Sequence, residues 1–168
     1  MKISILGFSC SGKSTFSNEI AKKLYIKVYH LDSYYWEDTW KKNELFDISS
    51  FIEEDNWIIE GNYLKHSLEE RLNSSDYIIY IDCNLVIRLF RMIKRHILFT
   101  INPNGKNPIS NKINLKFILI TIYKSIFFQP KLIRYLKSNY SQKYLYIKNI
   151  KEINDYDQFI SKLFNTQK

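Results

Sequence analysis

Between Cys83 and Lys151 the chain has no aspartate or glutamate, yet it carries 14 lysines and arginines. A stretch this long without one carboxylate implies a polyanionic neighbour, either a triphosphate or a nucleic acid. The first half is balanced the other way: residues 1–82 hold 9 basic and 14 acidic side chains, and the whole chain reaches +8. Glycine and proline are scarce, at 4 and 3 in 168 residues, which argues against a linker or a low-complexity tail. Two cysteines, Cys10 and Cys83, make neither a disulfide framework nor a metal site, so a reducing cytoplasm is the expected compartment. The start lacks the long apolar run of a signal peptide, and no internal repeat is visible. The most apolar window, Phe117 to Phe128, is interrupted by Lys124 and Ser125. It falls short of the roughly 18 apolar residues that a membrane span needs. It reads as a helix packed on the core, the other reading being a membrane-surface or partner-binding helix. No membrane partner is expected.

What is present is concentrated near the start. Gly7-Phe8-Ser9-Cys10-Ser11-Gly12-Lys13-Ser14, followed by Thr15, fits G-x-x-x-x-G-K-[ST]. Glycines let the backbone turn until successive N–H groups point inward as an anion nest. The helix that begins there adds the positive end of its dipole. Gly7, Ser9, Cys10, Ser11, Gly12, Lys13, Ser14 and Thr15 are therefore the candidate nucleotide-phosphate contacts. Lys13 reaches toward the β- and γ-phosphates, and the Ser14 hydroxyl is a ligand for Mg²⁺. A chance match in a chain this long is roughly a 1-in-100 event. The context also fits: residues 2–6 read as a buried strand, and Phe16, Ile20, Ala21 and Leu24 recur at helical spacing.

Apolar runs alternate with helical patterns along the rest of the chain. Strands are expected over 27–31, 57–59, 77–82 and 144–147. Helices are expected over 48–54, 66–72, 85–96, 115–128 and 131–136, with a last amphipathic helix carrying Ile153, Phe159, Ile160 and Leu163. This is the pattern of an α/β sandwich: a five-stranded parallel sheet with helices on both faces. One domain over 1–168 is expected. The polar, turn-rich stretch 100–114, with Pro103, Asn104-Gly105 and Pro108, reads as a flap, giving a lid region of about 97–115.

In such a sheet, active groups gather at the carboxyl ends of the strands. Asp32, Glu60 and Asp82 stand there beside Gly7. Glu60 is a candidate Mg²⁺ ligand next to Ser14, the plainer reading being a helix cap. Asp32 is a candidate for orienting or deprotonating an acceptor hydroxyl, the plainer reading being a turn aspartate. Arg91 and Arg95 share one helix face, with Arg88 on the same side. They read as a clamp for charge on a transferring phosphoryl group, or as a solvated basic face. Arg134 is a weaker candidate. Tyr34, Tyr35, Trp36 and Trp40 suit either stacking on a flat ligand or satellite packing. His30, His66 and His96 show no metal spacing and receive no role. Cys10 reads as a small filler of a variable loop position, or as a reactive thiol at a helix start.

These residues together resemble the bacterial family labelled DNA topology modulation protein, a branch of the adenylate-kinase-like P-loop kinases. The similarity rests on residues 7–15, on His30-Leu31-Asp32 with Trp36, and on Trp57-Ile58-Ile59-Glu60-Gly61-Asn62-Tyr63. It continues through Glu70-Arg71-Leu72, Asp82, Arg91 and Arg95, and it runs over about residues 1–97. The resemblance implies a P-loop NTPase fold, binding of ATP and Mg²⁺, a lid over the nucleotide, and arginines at 91 and 95 that hold nucleotide phosphates. This chain departs from the family in carrying Glu60 where Asp is usual. Nucleoside monophosphate kinases also place arginines after their second and third strands to hold the acceptor phosphate. Here no arginine precedes Arg71, and Leu64 stands where the second would fall. A hydroxyl acceptor is therefore expected.

Two function classes follow. The first is an ATP-dependent small-molecule kinase with Lys13, Asp32, Arg91 and Arg95 as catalytic residues, working as a monomer or homodimer. The second is a nucleic-acid-binding regulator that uses residues 83–151, with ATP as a switch.

Overall fold

The computed structural model describes residues 1–35, 43, 46–62, 68–101, 115–150, 153 and 155–165. Five strands form one parallel sheet: β1 (Lys2–Leu6), β2 (Val28–His30), β3 (Trp57–Glu60), β4 (Tyr77–Ile81) and β5 (Tyr144–Ile147). Their order is β2-β3-β1-β4-β5. The helices are α1 (Lys13–Leu24), α2 (Leu31–Tyr35), α3 (Ser49–Ile52), α4 (Leu68–Ser74), α5 (Leu85–Ile101), α6 (Leu115–Phe127), α7 (Gln129–Asn139) and α8 (Tyr156–Asn165). This is the expected α/β sandwich.

The period of two along each strand explains the layering. In β4, Tyr77, Ile79 and Ile81 enter one core with Phe16 and Ile20 of α1 and Ile160 and Leu163 of α8. Ile78 and Tyr80 point the other way and meet Leu72 of α4 and Leu132 and Leu136 of α7. Both faces of the central strands are thus covered, and β3 and β4 are buried at every position. Each such Ile or Leu contributes about 1.5–3 kcal/mol on burial. Helix ends follow local chemistry. Tyr25 closes α1 in the left-handed region at φ 57, Asn84 accepts the Val86 N–H at the start of α5, and Asp155 accepts the N–H groups of Asp157 and Gln158 at the start of α8.

Several boundaries differ from expectation. The second strand stops at His30, and Leu31 opens α2, so Tyr34 and Tyr35 are helical while Trp36 and Trp40 lie outside the described residues. Tyr34 packs on Phe51 and Phe46, which is satellite packing. α3 is shorter than predicted, and α7 is longer, because Pro130 sits in its first turn, where the missing N–H costs nothing. α5 runs on through Ile101 and Leu115 already begins α6. Residues 97–101 of the expected lid are therefore helix, and 102–114 lie outside the described residues. α6 is also not packed on the core as predicted. Leu119, Tyr123, Ile126 and Phe127 are exposed, because α6 leans on α5 and α7 rather than on the sheet. Among the described residues, no helix is long and apolar enough to cross a membrane.

Candidate active site

The strand order puts the ends of β1, β3 and β2 side by side, and the loop 7–12 joins β1 to α1 above them. Its two glycines are required by the backbone. Gly7 has φ 148, and a Cβ there would lie 2.3 Å from the Ile81 carbonyl oxygen. Gly12 has φ 103, with the Ile150 Cδ1 at 2.7 Å from where a Cβ would be. Cys10, at φ 61, is a non-glycine residue in the left-handed region, so this position shapes the loop rather than merely filling it. The loop closes on itself through the Ser11 N–H to the Phe8 carbonyl, 3.1 Å.

Glu60 is the hub. It is 4% exposed, and three side chains converge on it. Lys13 Nζ lies 3.5 Å from Oε1. The Ser14 hydroxyl donates to Oε2 at 3.1 Å, and His30 Nδ1 lies 2.9 Å from the same oxygen. Burial alone would raise the Glu60 pKa. The charge of Lys13 and the contacts with His30 and Ser14 outweigh it and hold the carboxyl at about 2, well below its ordinary 4.5. Asp32, in the first turn of α2, is exposed as a residue. The protein around its carboxyl still pushes its pKa up: desolvation dominates, Lys13 opposes it, and Glu60 adds to it. Lys13 also reaches the Phe8 carbonyl at 3.4 Å.

Of the arginines, Arg91 stands on the loop, with Nη1 donating to the carbonyls of Cys10 at 3.2 Å and Ser11 at 3.4 Å. Arg95, one turn on, is exposed. Arg88 does not join them in one clamp. It is 1% exposed and turns to the Ser9 carbonyl, Ser125 and Gln129. Ser9 and Thr15 are exposed at the loop and in the first turn of α1. Asp82 is taken up by the Cys83 N–H, Gln129 and Tyr146. Arg134 is exposed on α7.

Three residues given no role from sequence take part. His30 pairs in register with Glu60 across β2 and β3; its position at a strand end was the available signal. Asn62 accepts the Gly7 N–H at 2.9 Å and fastens the loop to the end of β3. Arg71 folds back from α4, donating Nη2 to the Gly61 carbonyl at 3.0 Å. It leaves Nε and Nη1 buried without a partner. An arginine thus reaches the third-strand end in space although none is near it in sequence. Tyr63, Leu64, Lys65 and His66 lie outside the described residues.

The site fits a nucleotide and a hard metal ion. The Ser11 hydroxyl is buried without a hydrogen-bond partner inside the loop, and a Cβ at Gly7 would crowd that hydroxyl at 2.9 Å and the Lys13 side chain at 3.2 Å. Ser14 and Glu60 form an oxygen donor set of the kind Mg²⁺ takes.

No family model matches the chain, and no curated protein matches it. Solved structures do. A shikimate kinase from Bacteroides thetaiotaomicron is 19% identical, with 99% of this chain and 96% of that chain covered at a TM-score of 0.51. A putative kinase from Chloroflexus aurantiacus is 14% identical, covering 98% and 96% at 0.58. A deoxyadenosine kinase from M. mycoides, with the products dCMP and a flexible dCDP bound, is 18% identical over the whole of both chains at 0.55. At these identities the likeness shows the fold: this chain has the P-loop kinase fold. The resemblance to the DNA topology modulation family has that fold behind it and nothing narrower.

Proposed function

We propose that the protein is an ATP-dependent phosphotransferase that moves the γ-phosphoryl group of ATP to a hydroxyl of a small-molecule acceptor. The observation that carries this reading is the convergence of Lys13, Ser14 and His30 on the buried Glu60 carboxylate, directly beneath the glycine loop. In this reading the loop amides and Lys13 hold the phosphates. Bound Mg²⁺ supplies charge neutralisation at the phosphate oxygens, and the pairing of Ser14 with Glu60 supports those two as its donors. His30 keeps the Glu60 carboxylate oriented. Arg91 braces the loop and, with Arg95, faces the transferring group. Asp32, with its raised proton affinity, takes the acceptor's hydroxyl proton. Both cores share one sheet, which supports reading 1–168 as one kinase domain.

An ADP-release screen over nucleosides, sugars and small metabolites, with nucleoside monophosphates included, tests the proposal. A hydroxyl acceptor that raises ADP release, with turnover lost in Lys13→Ala, is the expected outcome. Full activity in Lys13→Ala would remove the site assignment, and strong ADP release with AMP or CMP would overturn the hydroxyl acceptor.

The nucleic-acid reading keeps one observation in its favour. Lys94, Lys116 and Lys124 are exposed. Duplex DNA binding that collapses with rising salt supports it; no binding at low salt eliminates it.

A further inference from the structure

A cavity of about 610 Å³ opens between the end of β4, the first turn of α5 and the corner where α6 meets α7. This is within the range of small-molecule sites, about 300–1,000 Å³, and no role described above uses it. One wall is apolar, with Ile126 and Ile133. At its rim stand Arg134 and Lys137, three positions apart on α7 and both exposed. Among the described residues neither forms an ion pair with a carboxylate.

The inner wall contains Arg88, which is 1% exposed. A guanidinium has five N–H donors. Arg88 gives Nε to the Ser9 carbonyl at 3.0 Å, Nη1 to Gln129 at 3.0 Å and Nη2 to the Ser125 hydroxyl at 2.9 Å. All three acceptors are neutral. A cation withdrawn from water is poorly compensated without a paired anion. Burial lowers the Arg88 pKa and is opposed only through space, by Tyr80 and then by Asp82, the one carboxylate on the cavity wall among the described residues. The Asp82 oxygens accept from Gln129 Nε2 at 2.6 Å, from the Cys83 N–H at 2.7 Å and from the Tyr146 hydroxyl, and Asp82 forms no ion pair with Arg88. Three cations thus border a largely apolar hollow whose one carboxylate among the described residues, Asp82, is engaged by other donors.

We propose that this cavity is a second ligand site, distinct from the phosphate cradle, which takes a small organic anion: a phosphate or carboxylate head on an aromatic or branched apolar body. The head meets Arg134 and Lys137 and compensates Arg88, and the body lies on Ile126 and Ile133. Because Arg88 also braces the Ser9 carbonyl, the occupant shares a guanidinium with the loop.

Calorimetric titration of the full chain with phenyl phosphate tests this without ATP turnover, so its result stands apart from the kinase reading. Saturable binding is expected in the wild type and in Lys13→Ala, which disables the cradle and leaves the cavity intact. Binding should weaken about tenfold or more in Arg134→Ala/Lys137→Ala, where charge-assisted hydrogen bonds are removed from exposed positions. A cooperative unfolding transition well above the titration temperature shows that the double variant, and equally Lys13→Ala, is folded in the titration. Benzoate reads out a carboxylate head in the same way, and phenol, which lacks the anion, should not compete. The proposal is overturned if neither anion binds saturably, if Lys13→Ala alone abolishes binding, if the double variant binds as well as the wild type, or if phenol competes.

Discussion

The ammonium of Lys13 lies 3.5 Å from the Glu60 carboxylate, and both side chains are almost withdrawn from solvent. The residue proposed to grip phosphate is thus paired with the residue proposed to hold Mg²⁺. Glu60→Gln preserves shape and removes the charge, leaving Lys13 enclosed with only the more distant charge of Asp32 to balance it. It should lower stability at pH 7 by about 3 kcal/mol, read from urea unfolding, and reduce Mg²⁺-dependent nucleotide binding. A variant as stable as the wild type would show that the pair is dispensable.

The same carboxylate sets an acid limit. The Glu60 pKa is depressed to about 2 from 4.5, so its contribution is complete above the unfolded value and is lost as pH falls through the folded one. Asp32, with a raised pKa, works in the opposite sense: its protonated form favours the fold, and that gain disappears as pH rises through its folded value. Stability followed between about pH 4.5 and pH 2 should decline less steeply in Glu60→Gln than in the wild type. Parallel curves would mean that other carboxylates govern acid unfolding.

The two loop glycines should not tolerate alanine equally. At Gly7 the added Cβ meets a backbone carbonyl at 2.3 Å, whereas at Gly12 it meets the tip of a flexible isoleucine at 2.7 Å. Positive φ costs about 1–2 kcal/mol for any non-glycine residue, and a clash with backbone adds roughly 1–3 kcal/mol more. Gly7→Ala should therefore unfold at a clearly lower denaturant concentration than Gly12→Ala. Equal midpoints would contradict the contact at Ile81.

Asp32→Asn tests the proposed base. Turnover should fall by about 10²–10⁴-fold, with the KM for ATP little changed, because the loop and the Lys13–Glu60 pair remain in place. The acid limb of the wild-type pH–rate profile should lie above that of an ordinary aspartate, since desolvation raises the Asp32 pKa. A variant that keeps kcat and loses only ATP affinity would place Asp32 on the nucleotide side instead.

Much of this protein was fixed by local sequence. The loop motif requires glycine at set positions for backbone reasons, and those reasons hold within eight residues of chain. Short apolar runs bounded by helical patterns read as strands buried on both faces, so the sheet followed, with Glu60 at the end of β3 and Asp32 just past the end of β2. Tertiary structure decided which side chains meet. Ser14 and Glu60 are 46 positions apart, His30 and Glu60 are 30 apart, Gly7 and Asn62 are 55 apart, and Arg88 reaches Ser9 across 79. Those contacts depend on β3 lying between β2 and β1, and on β4 lying on the far side of β1. No spacing along the chain encodes that neighbourhood. For the same reason helix spacing alone groups Arg88 with Arg91 and Arg95, whereas α6 and α7 beside it make it a buried brace.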